Sequence, residues 1–165
     1  MATAPVLLIT GGSRGLGAAT ARLAARRGFD VAVNYRTDAQ AAERVVADVQ
    51  AAGRRAVAIQ ADVAQEHEVE KMFEKVDATL GRLTHFVYSS GITGPVSRVE
   101  DLSGADIRQV MDINVVGAFY CARAAIRRMS TKHGGAGGAI VLLSSIASVL
   151  GGGGEYVLYA ASKGA

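Results

Sequence analysis

The sequence predicts an α/β protein in three layers, a doubly wound parallel sheet with strand order 3-2-1-4-5. Three observations lead there. Short β-rich runs alternate along the whole chain with longer stretches of helical period. A glycine-rich segment, TGGSRGLG at Thr10 to Gly17, falls where the first run gives way to the first helical stretch. The chain has 165 residues, 50% of them hydrophobic, enough for one sizeable core and too few for two domains.

The elements follow in order. PVLLIT is the first strand, and Leu16 to Gly28 is an alanine-rich helix ended by glycine. DVAVNY is the second strand. Thr37, with Gln40 three residues later, fits a capping box that opens a helix running towards Gly53. RRAVAIQ is the third strand, and Gln65 to Leu80 the third helix, stopped near Gly81. LTHFVYSS is the fourth strand. One long helix takes up much of Asp106 to Thr131, with Ile107, Val110, Met111, Phe119, Ala122, Ile126 and Met129 as its inner face. GGAGG at Gly134 to Gly138 precedes a fifth strand, AIVLLSS, and GGGG at Gly151 to Gly154 is a loop into a terminal helix. Right-handed βαβ crossovers leave few ways to connect such elements, and the doubly wound sheet leads them.

Composition removes several function classes. The net charge is only +3, and Arg26-Arg27, Arg54-Arg55 and Arg127-Arg128 fall at predicted helix ends and strand starts, so no basic stripe points to nucleic acid. No uncharged apolar run is long enough to cross a bilayer, and the N-terminal residues lack a signal-peptide pattern; no membrane partner and a cytoplasmic location are expected. Cys121 is a lone cysteine within an apolar helical pattern and reads as a core thiol. His67, His85 and His133 have no metal-ligand spacing, so no metal is expected. A nucleophile elbow of a serine hydrolase is absent from the sequence.

The glycine-rich segment carries the first chemical signal. Glycines after a strand let the backbone turn sharply and approach a pyrophosphate, and the helix beyond them offers free amides and a partial positive charge. Gly11, Ser13, Arg14, Gly15, Leu16 and Gly17 are the candidate binding residues on this turn. The second strand ends in Asn34-Tyr35-Arg36, with no carboxylate before Asp38. A carboxylate there would hold the ribose diol of NAD, whereas arginine accommodates the extra phosphate of NADP. Arg36, beside Tyr35, and Arg14 can meet phosphate oxygens with paired hydrogen bonds, so NADP is expected rather than NAD. The second signal is Tyr159 and Lys163, one helical turn apart on one face. An ammonium group beside a phenol stabilises the phenolate and makes tyrosine usable for proton transfer near neutral pH.

The spacing Gly-x-x-x-Gly-x-Gly from Gly11, the Asp62-Val63 pair after the third strand, Asn114, Ser145 and Tyr159-x-x-x-Lys163 occur in the order found in the short-chain dehydrogenase/reductase family. The chain resembles the N-terminal part of that family over its whole length, and its GGGGEYVLYAASKGA ending looks closest to sugar dehydrogenase and 3-oxoacyl reductase members. The resemblance implies a single NAD(P)-binding Rossmann domain over residues 1–165 and an oxidoreductase that interconverts a carbonyl and a secondary alcohol by hydride transfer. It implies Tyr159 as general acid/base, and Lys163 tuning the phenol and holding the nicotinamide ribose. Ser145, among Ser144, Ser145 and Ser148, would hold the substrate oxygen, and Asn114 would maintain a water-linked proton path. Asp62 would meet the adenine amino group and Val63 would present a backbone amide. The partner is then a small-molecule carbonyl or alcohol, with a homo-oligomer as the full-length form.

Two departures from the family pattern raise expectations of their own. Where the family has Asn-Asn-Ala-Gly after the fourth strand, this chain has Tyr88-Ser89-Ser90-Gly91. Ser90 and Gly91 remain candidates for lining the cofactor, while Tyr88 is bulkier than asparagine and loses its amide contacts, so cofactor affinity or geometry should suffer. The chain also ends two residues after Lys163, without the C-terminal strands of the full fold. It reads as a C-terminally truncated fragment that binds NADPH weakly and turns over little. The alternative function is therefore a dinucleotide-binding fragment or degenerate homologue without turnover.

Overall fold

The computed structural model describes residues 4–165. Five strands, β1 (Val6–Thr10), β2 (Asp30–Tyr35), β3 (Ala56–Gln60), β4 (His85–Tyr88) and β5 (Ala139–Leu142), form one parallel sheet in the order β3-β2-β1-β4-β5. Leu8 of the central strand lies opposite Ala32 on one side and Phe86 on the other. The strand order and the parallel sense are those expected from the sequence.

The helices are α1 (Gly15–Arg26), α2 (Ala39–Ala51), α3 (Glu66–Leu80), α4 (Gly104–Met111), α5 (Gly117–Met129), α6 (Ala147–Leu150) and α7 (Val157–Gly164). Alternation along β1 divides the core. Val6 and Leu8 pack with Val69, Phe73 and Val76 of α3 and Cys121 and Ala124 of α5. Leu7 and Ile9 pack with Ala18 and Ala21 of α1 and Val45 and Val49 of α2. Both faces of the central strand are covered, which is why its sequence runs apolar without alternation.

At the end of the sheet remote from the glycine-rich turn, the buried carboxylate of Asp30 pins the start of β2. It accepts from Arg54 Nη2 at 2.6 Å and from Arg55 Nε at 2.8 Å, and Arg55 Nη2 reaches on to the carbonyl of Leu80 at the end of α3. Burial alone would raise the Asp30 pKa; hydrogen bonds from Arg55 and Arg54 outweigh it and hold the carboxyl below its usual value.

Three expectations need correction. The cap of α2 is Asp38, whose carboxylate accepts from Ala41 N at 2.9 Å, and not Thr37. The expected long helix is α4 and α5 joined by a π turn over Asp112–Val116. Its buried residues are Val110, Ile113, Asn114, Gly117, Cys121, Ala124, Ala125 and Met129, so Val110 and Met129 of the expected face are buried, while Phe119 is 70% exposed and Ile126 49% exposed. Apolar residues occur on both sides of this helix, and the wide turn rotates α5 relative to α4, so one helical period counted across both selected a stripe that is buried at Val110 and Met129 but exposed at Ile107, Phe119 and Ile126. The third correction is the four-residue α6, which lies where the sequence suggested only a loop.

Tyr88 does not intrude on the space beyond the C-terminal ends of the strands. β4 turns Phe86 and Tyr88 together into the core on the α3/α5 side, where Tyr88 is 2% exposed. Its hydroxyl donates to the carbonyl of Ile113 in the π turn. Burial keeps the phenol protonated, and so a donor. The space it needs comes from Gly117, where a Cβ would stand 2.8 Å from Tyr88 Oη and 2.7 Å from Val63 O.

Gly117→Ala should therefore destabilise the chain by about 1–3 kcal/mol through overpacking, and Tyr88→Phe by about 1 kcal/mol through loss of the hydrogen bond. In urea denaturation the double variant should lose less than the sum, because the new methyl group and the phenolic oxygen contest one space. Strict additivity would show that Gly117 does not accommodate Tyr88.

Candidate active site

The order β3-β2-β1-β4-β5 reverses direction between β1 and β4, and parallel α/β sheets open a crevice at such a point. Here the crevice is a cleft of about 420 Å³. Gly11, Ser13, Arg14, Gly15 and Leu16 lie on its wall. Gly17 is buried beneath them: a Cβ there would stand 2.4 Å from the carbonyl oxygen of Gly11, so only glycine lets α1 start this close to the turn. Gly11 itself has φ of 60°, in the region that favours glycine. The first turn of α1 has neither a side-chain cap nor an acidic residue, which leaves its amides to an anionic ligand.

The flanks of the cleft come from the ends of the neighbouring strands. Tyr35 and Arg36 lie at the end of β2, Asp62 and Val63 beyond β3, and Ser90 and Gly91 beyond β4; all six lie on the wall. Neither Arg14 nor Arg36 takes part in the salt bridges found among the described residues, so both guanidinium groups are available to phosphate. Asp38 is also on the wall, but its carboxylate is engaged in capping α2. One oxygen of Asp62 accepts from Ala64 N at 3.0 Å. On the β4 side, Thr10 Oγ1 accepts from Ser89 N at 3.2 Å and Ser90 N at 3.3 Å, tying the end of β1 to the next loop.

α7 completes the cleft with Tyr159 and Lys163. The lysine Nζ donates to Leu143 O at 2.8 Å and stands 5.9 Å from the centre of the Tyr159 ring. Burial lowers its pKa from the ordinary lysine value of 10.5. A Cβ on Gly91 would approach Lys163 Nζ to 3.3 Å, so the bare backbone of the β4 loop and the ammonium group share a narrow space.

Two expected site residues stand off the wall. Asn114 is 6% exposed and spends its amide on structure. It accepts from Ile92 N at 2.9 Å and donates to Ile92 O and to Ser162 Oγ, both at 2.8 Å. Since Ser162 lies between Tyr159 and Lys163, this amide joins the π turn, the β4 loop and α7. Ser145 Oγ accepts from Ala147 N at 3.2 Å at the entry to α6; the serine on the wall is Ser144, which donates to Lys163 O at 2.7 Å. The chain leaves the sheet at Leu142, after which strand alternation no longer fixes which serine faces the cleft. Sequence reasoning also missed Thr10, Asn34 and Ser162. A polar residue inside the apolar run DVAVNY was the available signal for Asn34.

Comparison with known proteins shows the family and the fold. The profile of the short chain dehydrogenase family matches residues 5–165. The uncharacterized oxidoreductase YgfF of Escherichia coli is 48% identical over 97% of this chain and 65% of its own length. A short chain dehydrogenase from Burkholderia cenocepacia in complex with NADP superposes with a TM-score of 0.91 at 38% identity, over 98% of this chain and 64% of that one. An NAD+-bound xylitol dehydrogenase superposes with a TM-score of 0.89 at 32% identity, over 98% of this chain and 60% of that one. The chain thus spans just under two thirds of the length of these proteins. With the family profile matched from residue 5 to residue 165, the chain belongs to the short chain dehydrogenase family.

Proposed function

We propose that the chain forms the dinucleotide-binding and catalytic part of an NADP-dependent oxidoreductase that interconverts a carbonyl and a secondary alcohol. The observation that carries this reading is that Tyr159 and Lys163 line the same cleft as the glycine-rich turn. The residues present suit the cofactor: Gly11 and Gly91 leave backbone bare on the cleft wall, Gly17 lets α1 start close to the turn, and Arg14 and Arg36 supply free guanidinium groups for phosphate. The structural relatives hold either NADP or NAD+, so the choice rests on the end of β2, where Tyr35-Arg36 stands in place of a carboxylate.

NADP supplies the hydride donor in reduction and the acceptor in oxidation. Tyr159 gives its phenolic proton to the carbonyl oxygen in reduction and takes it back in oxidation. Lys163, anchored on the Leu143 carbonyl, supplies positive charge that favours the phenolate. Asn114 acts as a positioning residue, holding α7 through Ser162 and the β4 loop through Ile92. Ser145 is the family's choice for orienting the substrate oxygen, with Ser144 bracing α7 against the end of β5. A second reading, dinucleotide binding without turnover, is supported by Ser145, whose Oγ accepts from Ala147 N away from the cleft wall.

Substrate-dependent loss of NADPH absorbance across a panel of carbonyl compounds separates the two readings. Under the first, Tyr159→Phe lowers turnover by about 10²–10⁴-fold while NADPH still binds. Turnover also falls as pH rises through the lysine's lowered pKa, that is, from below 10.5, because the neutral amine no longer supports the phenolate. Equal turnover by Tyr159→Phe would sink the assignment, and NADPH binding with no turnover on any carbonyl would favour the second reading. For the cofactor, Arg36→Ala should shift the ratio of NADPH to NADH dissociation constants about tenfold towards NADH, as expected for loss of a charge-assisted pair. An equal loss for both dinucleotides would remove Arg36 from phosphate recognition.

A further inference from the structure

We infer that Asn34, which the family's catalytic pattern does not include, is a positioning residue that sets the spacing between the two walls of the cofactor cleft. It is 2% exposed, yet it borders the cleft. Its Oδ1 accepts from Gly11 N at 3.3 Å, at the start of the glycine-rich turn. Its Nδ2 donates to Ala61 O at 3.0 Å and to Ile59 O and Tyr35 O, both at 3.3 Å. Its own carbonyl accepts from Gly12 N at 2.8 Å. One residue therefore holds the turn on one side and, on the other, the carbonyl immediately before Asp62 and Val63.

The chemistry of the amide suits the task. A side chain that bridges a backbone N–H on one wall and backbone carbonyls on the other needs an acceptor and a donor together. Aspartate would keep the acceptor for Gly11 and set a negative oxygen against the carbonyls of Ile59 and Ala61; alanine would remove the bonds to Gly11 N and to both carbonyls. With the side-chain clamp gone, the backbone bonds from Gly12 N to Asn34 O and from Ala61 N to Tyr35 O remain, but Gly11 and Ala61 lose the amide that sets their spacing. A ligand that touches both at once then suffers more than a ligand that touches one, because the second contact is no longer pre-arranged.

This inference rests on the proposed cofactor reading, and the test keeps the two apart. NADPH, which spans both walls, and adenosine, which has no phosphate to reach the glycine-rich turn, are titrated calorimetrically into the unaltered chain, Asn34→Asp and Asn34→Ala. Circular dichroism well below the melting transition checks that each variant is folded. Saturable NADPH binding by the unaltered chain tests the cofactor reading; its absence overturns that reading and this inference with it. Given binding, both variants should bind NADPH about tenfold more weakly or worse, with a clearly smaller loss for adenosine. Unchanged NADPH affinity in a folded variant, or the same loss for both ligands, overturns the positioning role. Should neither variant fold, the side-chain amide resonances of Asn34 in the unaltered chain decide: they should shift with NADPH more than with adenosine, and equal or absent shifts contradict the inference.

Discussion

The close passage of α1 over the glycine-rich turn is the constraint on which the cleft depends. Gly17 lies so near the Gly11 carbonyl that a side chain would stand 2.4 Å from it. That approach fixes where α1 begins and points its free amides into the crevice between β1 and β4. It also makes the floor of the cleft backbone, so the chemical identity of the site is left to the strand ends around it. Those ends supply Arg36 from β2, Asp62 from β3, and Ser90 and Gly91 from β4.

The surrounding structure keeps these junctions in register. Thr10 ties β1 to the β4 loop, and Asn34 ties it to β2 and β3. Deeper in the core, Tyr88 reaches the π turn through the space that Gly117 leaves, and the same turn presents Asn114 to Ile92 and Ser162. A chain of short, buried polar contacts thus runs from the middle of the sheet to α7. Buried polar groups of this kind persist where they are satisfied, and each of these has its partner. Tyr159 and Lys163, carried on an eight-residue helix, need such support, because a helix that short gains little stability from its own hydrogen bonds.

The parts of this arrangement that were legible in the sequence are those governed by short-range rules. The five strands announced themselves as apolar runs between turn signals, and the glycine-rich turn by its place between a strand and a helix. Tyr159 and Lys163 were readable because a four-residue spacing on a helix has one geometric meaning. The rest turned on tertiary choices. Phe119 and Ala125 are both apolar, and the π turn decides that Ala125 faces inward. Ser144 and Ser145 differ by one residue in a loop, where no periodicity chooses between them. Tyr88 reads as an obstruction beside the cofactor when the family motif alone places it; the alternation of β4 sends it to the opposite face, into space that Gly117 provides.

The central claim is that one ligand, NADPH, bridges the glycine-rich turn and the catalytic helix. Hydrogen–deuterium exchange of the chain with and without NADPH tests it most directly. The account predicts protection that appears together in three separate segments: Gly11 to Gly17, Ser89 to Gly91, and the helix bearing Tyr159 and Lys163. Protection confined to the glycine-rich turn, or none at saturating NADPH, would contradict it.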